Sequence, residues 1–330
     1  MKFLIAGAGA IGAYIGARMA RAGFDVTLFA RGPHLKAMQE DGVQVKSGDG
    51  DFQARPRVVG SLEEVGPADV VFLGVKAHSL PQLAPQLKFV LGSHTTVVST
   101  QNGIPWWYFQ GLGGEWEGLR LERIDPGGVI SSAIEARRVV GSIVYFSTEI
   151  CAPGVVQHTD GNRISIGEPD GSRSVRCRQI ASALVAAGLR CPITSHIRQE
   201  IWVKILGNAS FNPVSALTRA TLAQMVRDTD VSAVIRNIMQ EVEAVLLKLR
   251  MELPVSIDQR MAGAEKVGEH KTSMLQDLEA GRPMELEALV GSVLELGEHL
   301  GLPMPHTRTV YSCAKLLGQH NATATRAANQ

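Results

Sequence analysis

The residues best suited to acid–base chemistry lie in one segment of the second half of the chain, from Glu200 to Pro213. Lys204, Asn208 and Asn212 recur at every fourth position, so a helix would place them on one side. The opposite side carries the apolar residues Trp202, Ile205, Leu206 and Ala209. Because asparagine is unfavourable inside helices, a strip of one cation and two amides is more typical of a ligand-binding surface than of a solvated face.

A lysine in such a strip can act as a proton donor. Reduction of a carbonyl by hydride leaves negative charge on oxygen, and a positioned ammonium can supply the proton as that charge develops. Burial lowers the pKa of a lysine, whereas a neighbouring carboxylate raises it. Three carboxylates are candidate neighbours of the lysine: Glu200, Glu285 and Glu287. The alternative is a boundary helix in which Lys204 reaches solvent and Asn212 ends the helix before Pro213.

A second polar pair, Thr272 and Ser273, precedes a short apolar stretch in the manner of a helix start. Either hydroxyl can cap the helix or donate a hydrogen bond to a substrate carboxylate. The spacing by itself favours capping.

A glycine motif opens the chain. An apolar run ends in Gly7, Ala8, Gly9, Ala10, Ile11 and Gly12, which fit the pattern G-x-G-x-x-G. Gly7 allows a tight turn, Gly9 removes a side chain that would block a pyrophosphate, and Gly12 lets the helix lie close to the sheet. The free N–H groups at the helix start would bind phosphate. Because the motif directly follows one strand and precedes another, it predicts a dinucleotide site.

The next strand ends in Phe29, Ala30 and Arg31, without the carboxylate that NAD enzymes place against the ribose 2′-hydroxyl. Arg31 can pair with a 2′-phosphate, which favours NADP(H), although it can also be a solvated residue. His34 and Lys36 would add positive charge nearby.

Two later strand ends point to the same edge of the predicted sheet. Lys76 follows one strand and lies near cofactor or substrate, or in solvent. Asn102 and Gly103 follow the next strand; the amide suits a carboxamide or a ribose hydroxyl, and the glycine permits close approach. An ordinary Asn-Gly turn is the alternative.

The elements that position these residues follow from hydrophobic patterning. Apolar runs without polar alternation predict parallel strands covered by helices; they are Phe3 to Ala6, Val26 to Phe29, Val70 to Val75 and Thr96 to Thr100. Crossover helices are predicted over Ile11 to Ala22 and about Leu80 to Leu91. Three further runs, Ile143 to Glu149, Val155 to His158 and Arg163 to Ile166, are expected to finish the sheet as antiparallel strands.

After Pro192 the pattern becomes helical. Helices are predicted over Val231 to Arg250, Glu285 to Leu300 and Thr307 to Leu317. The expected fold class is therefore α/β, with an N-terminal Rossmann-type doubly wound domain over residues 1–191 and an all-α domain for substrate and dimerisation over residues 192–330.

Composition narrows the function classes. The chain has 330 residues, 33 Lys plus Arg against 32 Asp plus Glu, and four scattered cysteines. This charge balance argues against nucleic acid or an anionic membrane as a partner, and no pattern suggests a metal site. A reduced, cytoplasmic protein is expected. Residues 3–17 imitate a secretory signal, but their glycines fit a strand, turn and helix better. The apolar helices of the second half could supply a homodimer face.

These motifs together resemble the ketopantoate reductases (2-dehydropantoate 2-reductases) over nearly the whole chain. The matching segments are GAGAIG at Gly7, Arg31, VK at Lys76, QNG at Asn102, EIWVKILGNASFNPVSAL around Lys204 and KTSMLQDLEAGRPMEL up to Glu285. The resemblance implies a Rossmann domain and a helical domain that share a cleft.

The resemblance also implies roles for individual residues. It implies NADPH as cofactor, Lys204 as general acid and Glu285 as a contact to substrate or cofactor near that lysine. Asn208, Asn212 and Ser273 would bind the substrate, and Asn102 would bridge substrate and cofactor. The implied reaction is reduction of 2-dehydropantoate to (R)-pantoate, a precursor of pantothenate and coenzyme A.

One segment departs from the shorter members of that family. From Trp106 to about Arg138 the chain is longer, bulky and glycine-rich, and it could reshape the pocket for another small 2-oxo or 3-oxo acid. A related 3-hydroxy acid or opine enzyme is therefore an alternative. A binding protein that senses NADP(H) without turnover is another, although a sensor needs no proton donor. An adaptor role has little support.

Overall fold

The computed structural model describes residues 1–328, with side chains to residue 321. The chain divides into two compact units. The first, here called the sheet unit, comprises Met1–Gln101, Pro105–Arg120 and Asp125–Arg198. The second, the helical unit, comprises Asn102–Ile104, Leu121–Ile124 and the residues from Gln199 onward. The predicted domain boundary at residues 191 and 192 stays a prediction, and the last two residues of the predicted second domain lie outside the described part.

Within the described residues, all the strands lie in the sheet unit. They are β1 (Lys2–Ala6), β2 (Asp25–Phe29), β3 (Val43–Ser47), β4 (Phe52–Ala54), β5 (Arg57–Val59), β6 (Ala68–Leu73), β7 (Leu91–Ser99), β8 (Val139–Val144), β9 (Ser147–Ala152), β10 (Val155–Asp160) and β11 (Ile164–Gly167). Its helices are α1 (Ala10–Arg21), α2 (Gly32–Asp41), α3 (Leu80–Leu83), α4 (Val129–Ala133) and α5 (Val175–Ala186).

The main sheet has seven strands in the order β11-β8-β7-β6-β1-β2-β5. All neighbours are parallel except β11, which pairs antiparallel with β8. The four strands predicted as parallel are confirmed as β1, β2, β6 and β7. The crossover helix predicted to reach Leu91 is shorter, because α3 passes into a 3₁₀ segment at Ala84–Phe89.

The prediction that three antiparallel strands finish this sheet is wrong in part. Only β11 joins the main sheet antiparallel. The predicted run Ile143 to Glu149 divides between the end of β8, which is parallel to β7, and the start of β9. Strands β9 and β10 form a separate four-stranded sheet in the order β4-β3-β10-β9. In that sheet β10 pairs parallel with β3, more than a hundred residues earlier in the sequence. Local turn signals specify a hairpin such as β9-β10, but they do not specify which sheet the hairpin joins.

Helix α1 contacts strands of both sheets. On one side Gly16 allows close packing, since a Cβ there would lie 2.3 Å from Cδ2 of Leu28. On another side the buried ring of Tyr14 stacks on His158 with centroids 4.8 Å apart, and its hydroxyl accepts a hydrogen bond from Arg18. The helix that follows the glycine motif is therefore held between two layers of strands.

The long connection between β7 and β8 is anchored rather than loose. Its aromatic segment, Trp106 to Phe109, is buried. The indole of Trp107 donates to Oγ of Ser99 over 2.8 Å, and Arg198 donates to the carbonyls of Tyr108 and Gln110. Residues Trp106 to Phe109 therefore belong to the core of the sheet unit.

The helical unit is built around α8. Its helices are α6 (Ile197–Thr218), which begins in the sheet unit, and α7 (Leu222–Arg227), α8 (Thr229–Lys248), α9 (Ile257–Val267), α10 (Ser273–Glu279), α11 (Ser292–His299) and α12 (Pro305–Ala328). α8 is amphipathic, and α7, α9, α11 and α12 contact it. Side-chain caps at Asp228, Ser256 and Thr272 fix the starts of α8, α9 and α10. These helices confirm the three predicted in this half.

The fold class is thus the predicted α/β type, a mainly parallel sheet in the first half and helices in the second. Within the described residues, no helix combines the length and the apolar character needed to cross a membrane.

Candidate active site

In the sheet unit, the glycine motif forms the turn between β1 and α1. Gly7 has a φ of +111°, and a Cβ there would lie 2.3 Å from Cγ1 of Val75 and 2.8 Å from its backbone nitrogen. A Cβ on Gly12 would lie 2.2 Å from the carbonyl oxygen of Gly7. These two glycines are therefore required by the packing of the protein itself.

Gly9 differs from these two. It is the residue before α1, it has extended backbone, and the nearest atom to a Cβ there is the carbonyl oxygen of Gly74 at 3.7 Å. The protein leaves room for a side chain at Gly9, so the space there is available to a ligand. The first N–H groups of α1, from Ala10 onward, have no partner within the helix and lie beside that space.

Arg31 follows β2 and immediately precedes α2. It is exposed, and its guanidinium lies 5.3 Å from the ring centroid of Phe29. The positive charge expected at His34 is not supported. Nδ1 of His34 accepts the N–H of Gly154 over 2.9 Å, and burial lowers the pKa of the imidazole, so His34 is neutral at pH 7.

Lys76 is half-buried and begins a 3₁₀ turn after β6. Two neighbouring residues were not singled out from the sequence. A Cβ on Gly74 would lie 2.3 Å from the carbonyl oxygen of Gly7, and Nε2 of Gln101 donates to the carbonyls of Leu73 and Val75 over 2.8 and 3.0 Å. The glycine directly after a buried strand was the available signal for Gly74; nothing in the local pattern indicated Gln101.

In the helical unit, α6 carries the predicted strip. Trp202, Ile205, Leu206 and Ala209 are buried, as predicted for the opposite side. Asn208 is partly buried and Asn212 almost fully buried. The helix continues through Pro213 to Thr218, so Asn212 does not end it.

Lys204 is partly buried on α6. Burial lowers the pKa of its ammonium and the negative charge of Glu285 raises it, and the balance is a pKa of about 8. Of the three candidate carboxylates, Glu285 is therefore the one whose charge acts on Lys204. Glu287 is engaged elsewhere, because Arg123 donates to its Oε2 over 2.7 Å and Tyr311 to its Oε1 over 2.7 Å.

Asn102 lies in the same unit as Glu285 and donates from Nδ2 to Oε2 of that residue over 3.2 Å. Gly103 has a φ of +89°, and a Cβ there would lie 2.1 Å from the carbonyl oxygen of Ala288. The close approach expected at Gly103 is therefore made by protein backbone. The structure brings together Lys204, Glu285 and Asn102, which are far apart in the sequence.

Ser273 is exposed at the first position of α10. The capping role belongs to Thr272, whose side chain accepts the N–H of Leu275 over 3.3 Å. The hydroxyl of Ser273 is therefore not the cap of α10. Among the predicted site residues, those of the glycine motif, Arg31 and Lys76 lie in the sheet unit, and Asn102, Lys204, Asn208, Asn212, Ser273 and Glu285 lie in the helical unit.

Both halves of the chain are similar to known proteins. Residues 3–108 match the family model described as Ketopantoate reductase PanE/ApbA, and residues 196–318 match the model of the C-terminal domain of that family. The chain belongs to the ketopantoate reductase family. The resemblance inferred from the sequence is thus confirmed, and the chain is an oxidoreductase of this family.

Individual relatives are similar to this chain over nearly their full length. The 2-dehydropantoate 2-reductase of Mesorhizobium japonicum is 48% identical over 96% of this chain and 98% of its own. The crystal structure of a candidate ketopantoate reductase from Ralstonia solanacearum MolK2 has a TM-score of 0.92 and 37% identity, covering 97% of this chain and 98% of that one. That of 2-dehydropantoate 2-reductase from Methylococcus capsulatus has a TM-score of 0.82 and 28% identity, covering 98% of each chain.

The different surroundings of the glycines in this reductase predict different effects of adding a methyl group. Gly74→Ala places a Cβ against the backbone of Gly7, and overpacking of this kind typically costs about 1–3 kcal/mol of unfolding free energy. Gly9→Ala meets no such contact, and we expect it to cost less than about 1 kcal/mol, the loss associated with a poorer helix cap. Chemical denaturation of both variants measures the difference. Equal losses would contradict this assignment.

Proposed function

We propose that this reductase converts 2-dehydropantoate to (R)-pantoate, with NADPH as reductant and Lys204 as proton donor. The observation that carries the proposal is the partly buried ammonium of Lys204, whose pKa is lowered by burial and raised by the carboxylate of Glu285, in a chain of the ketopantoate reductase family. The product would serve pantothenate and coenzyme A biosynthesis, which agrees with a cytoplasmic location.

Lys204 acts on the oxygen of the carbonyl that is reduced. NADPH, when bound, supplies the hydride that the carbonyl carbon receives. Negative charge then develops on the oxygen, and the ammonium of Lys204 stabilises this charge and transfers a proton to it. With a pKa of about 8, Lys204 is mostly protonated at pH 7 and is a stronger acid than an exposed lysine. Glu285 keeps the ammonium charged while no substrate is bound.

The amides around this lysine would orient the substrate. Asn208 and Asn212 extend along α6 from Lys204, and each amide can both donate and accept hydrogen bonds. Asn102, held against Glu285, would contact both substrate and cofactor. Ser273, which is not the cap of α10, would donate its hydroxyl to the substrate carboxylate. This set suits a small 2-oxo acid with a hydroxyl group.

The sheet unit provides groups that fit NADPH. The space above Gly9 and the N–H groups of Ala10, Ile11 and Gly12 suit the pyrophosphate, with Gly7 and Ala8 forming the turn. Arg31, at the end of β2 and with no acidic residue beside it, suits a 2′-phosphate. Lys76, after β6, would contact the cofactor beyond the strand ends. This arrangement supports NADP(H) over NAD(H).

The proposed proton donor predicts the effect of removing it. We expect Lys204→Ala to lower kcat for 2-dehydropantoate reduction by a factor of about 10²–10⁴, the usual contribution of a general acid. We also expect kcat/KM of the wild type to fall as the pH rises through about 8, because the neutral amine cannot donate a proton. Steady-state rates measured by NADPH absorbance from pH 6 to 10 test both.

The matched control for this experiment is Lys248→Ala, which removes an exposed lysine at the end of α8. It should keep wild-type rates at every pH. Near-normal turnover by Lys204→Ala would overturn the role given to Lys204.

The proposed cofactor preference depends on Arg31. Replacing this guanidinium in Arg31→Gln should weaken NADPH binding roughly 10- to 100-fold, since a hydrogen bond to a charged group contributes about 1.5–3 kcal/mol, and should leave NADH binding nearly unchanged. Fluorescence titration with each nucleotide measures both affinities. Arg227→Gln, which removes an exposed arginine of the helical unit, is the control. Equal wild-type affinities for NADPH and NADH would refute the preference.

The proposed substrate is tested by measuring the rate of NADPH oxidation with 2-dehydropantoate and with a panel of other 2-oxo and 3-oxo acids. The acids are then ranked by kcat/KM. The proposal requires 2-dehydropantoate to rank first. A higher value for another acid would assign a different substrate to the same chemistry. NADPH binding without oxidation by any acid would instead indicate a sensor.

A further inference from the structure

The turn that follows Glu285 is held by a cluster of side chains that the proposed reaction does not use. Arg123 donates from Nη1 to Oε2 of Glu287 over 2.7 Å and to the hydroxyl of Tyr311 over 2.5 Å. Tyr311 in turn donates to Oε1 of Glu287 over 2.7 Å, and Lys315 lies 3.6 Å from that oxygen. Arg123, Glu287 and Tyr311, here called the Glu287 clamp, all lie in the helical unit.

The backbone around Arg123 is fixed as well. The N–H groups of Glu122 and Arg123 donate to the two carboxylate oxygens of Glu295 on α11, over 2.6 and 2.9 Å. Each carboxylate oxygen thus receives one N–H, so the segment Leu121–Ile124 cannot slide along the helix without breaking both bonds. The guanidinium of Arg123 is therefore held at a fixed position beside Glu287.

The turn itself has unusual geometry. Glu287–Gly291 form a π-helical turn, in which the N–H of Ser292 donates to the carbonyl of Glu287. Such turns cost stability and persist where their surroundings support them. Here a Cβ on Gly291 would lie 2.4 Å from Oε2 of Glu287 and 3.0 Å from Cδ of Arg123, so the clamp packs directly on the turn.

Glu285 lies directly before this turn. Its carbonyl accepts the N–H of Leu289 over 3.1 Å, and its carboxylate accepts the amide of Asn102. The main chain of Asn102 is in turn held by Gly103, which packs against the carbonyl of Ala288. The direction of the Glu285 carboxylate therefore depends on where the π-helical turn lies.

We propose that Arg123 and Tyr311 are positioning residues for the reaction, which act through Glu287 and the π-helical turn to hold the Glu285 carboxylate beside Lys204. This inference rests on the proposed function, in which Glu285 keeps Lys204 charged. It gives a task to part of the long segment between β7 and β8, since Arg123 comes from that segment.

The charges around Lys204 and Glu287 indicate how breaking the clamp should change the pKa of Lys204. Glu285 is the group whose charge acts on Lys204, and the groups that act on Glu287 are Arg123, Tyr311 and Lys315. Burial opposes ionisation of Glu287, but hydrogen bonds from Tyr311 and Arg123 hold the pKa of its carboxyl below the usual value, so the clamp stays charged over the working pH range. When the clamp is broken, Glu285 is less restrained, and the pKa of Lys204 should fall further.

The test compares Arg123→Met and Tyr311→Phe with the wild type. The first readout needs no substrate: pulses of acetic anhydride over a range of pH, followed by peptide mass spectrometry, give the pH at which Lys204 becomes reactive. Both variants should shift this midpoint to lower pH, and the decline of kcat/KM at alkaline pH should shift in the same direction. Arg123→Lys, which keeps one cation, should restore part of the shift.

Arg308→Met is the matched control, because it removes an exposed guanidinium paired with Glu298 in the same unit. It should leave the Lys204 midpoint unchanged. Gly291→Ala breaks the clamp by a different route, displacing Glu287 without removing any charge. It provides an independent result if Arg123→Met does not fold.

A purely structural role of the clamp would lower the melting temperature of the folded variants but leave the Lys204 midpoint at its wild-type pH, and that result would overturn the inference. Failure of the proposed function is distinguishable, because it would appear as a wild-type enzyme inactive on 2-dehydropantoate. The acetylation midpoints measure the effect of the clamp on Lys204 in either case.

Discussion

The candidate site depends on one electrostatic constraint, the need to keep a partly buried ammonium charged. Burial of Lys204 favours the neutral amine, and the negative charge of Glu285 opposes this effect. The balance leaves a pKa of about 8, at which a lysine is both protonated and acidic enough to give up its proton near neutral pH. Several features of the helical unit serve this balance, including the apolar side of α6, the start of the helix after Glu285 and the amide of Asn102.

The candidate cofactor site in the sheet unit and the candidate catalytic site in the helical unit are built from different kinds of contact. In the sheet unit the decisive contacts are between backbone atoms, because Gly7, Gly12 and Gly74 pack so closely that no side chain fits between β1, α1 and the end of β6. Gly9 alone of this group is not crowded by protein. In the helical unit the decisive contacts are between charged and polar side chains. The site in the sheet unit therefore depends on glycines, which have no side chain, whereas the site in the helical unit depends on side chains that are held in position by hydrogen bonds and ion pairs.

The connection between β7 and β8 contributes to both units. Trp106 to Phe109 are buried in the sheet unit, whereas Asn102–Ile104 and Leu121–Ile124 belong to the helical unit. The glycine-rich segment from Trp106 to about Arg138 is a set of anchored pieces, because Trp107, Arg123 and Asp125 each make specific hydrogen bonds.

The sequence by itself determined the features that depend on local order. The glycine motif, the parallel strands and the helix with Lys204, Asn208 and Asn212 all follow from spacing, since period and backbone freedom are properties of neighbouring residues. Only the tertiary structure decided which of three glutamates acts on Lys204, that Asn102 joins Glu285, that β9 and β10 form a second sheet, and that His34 is neutral. Each of these depends on contacts between residues remote in the chain, whose strength is set by burial and distance, and no local pattern contains that information.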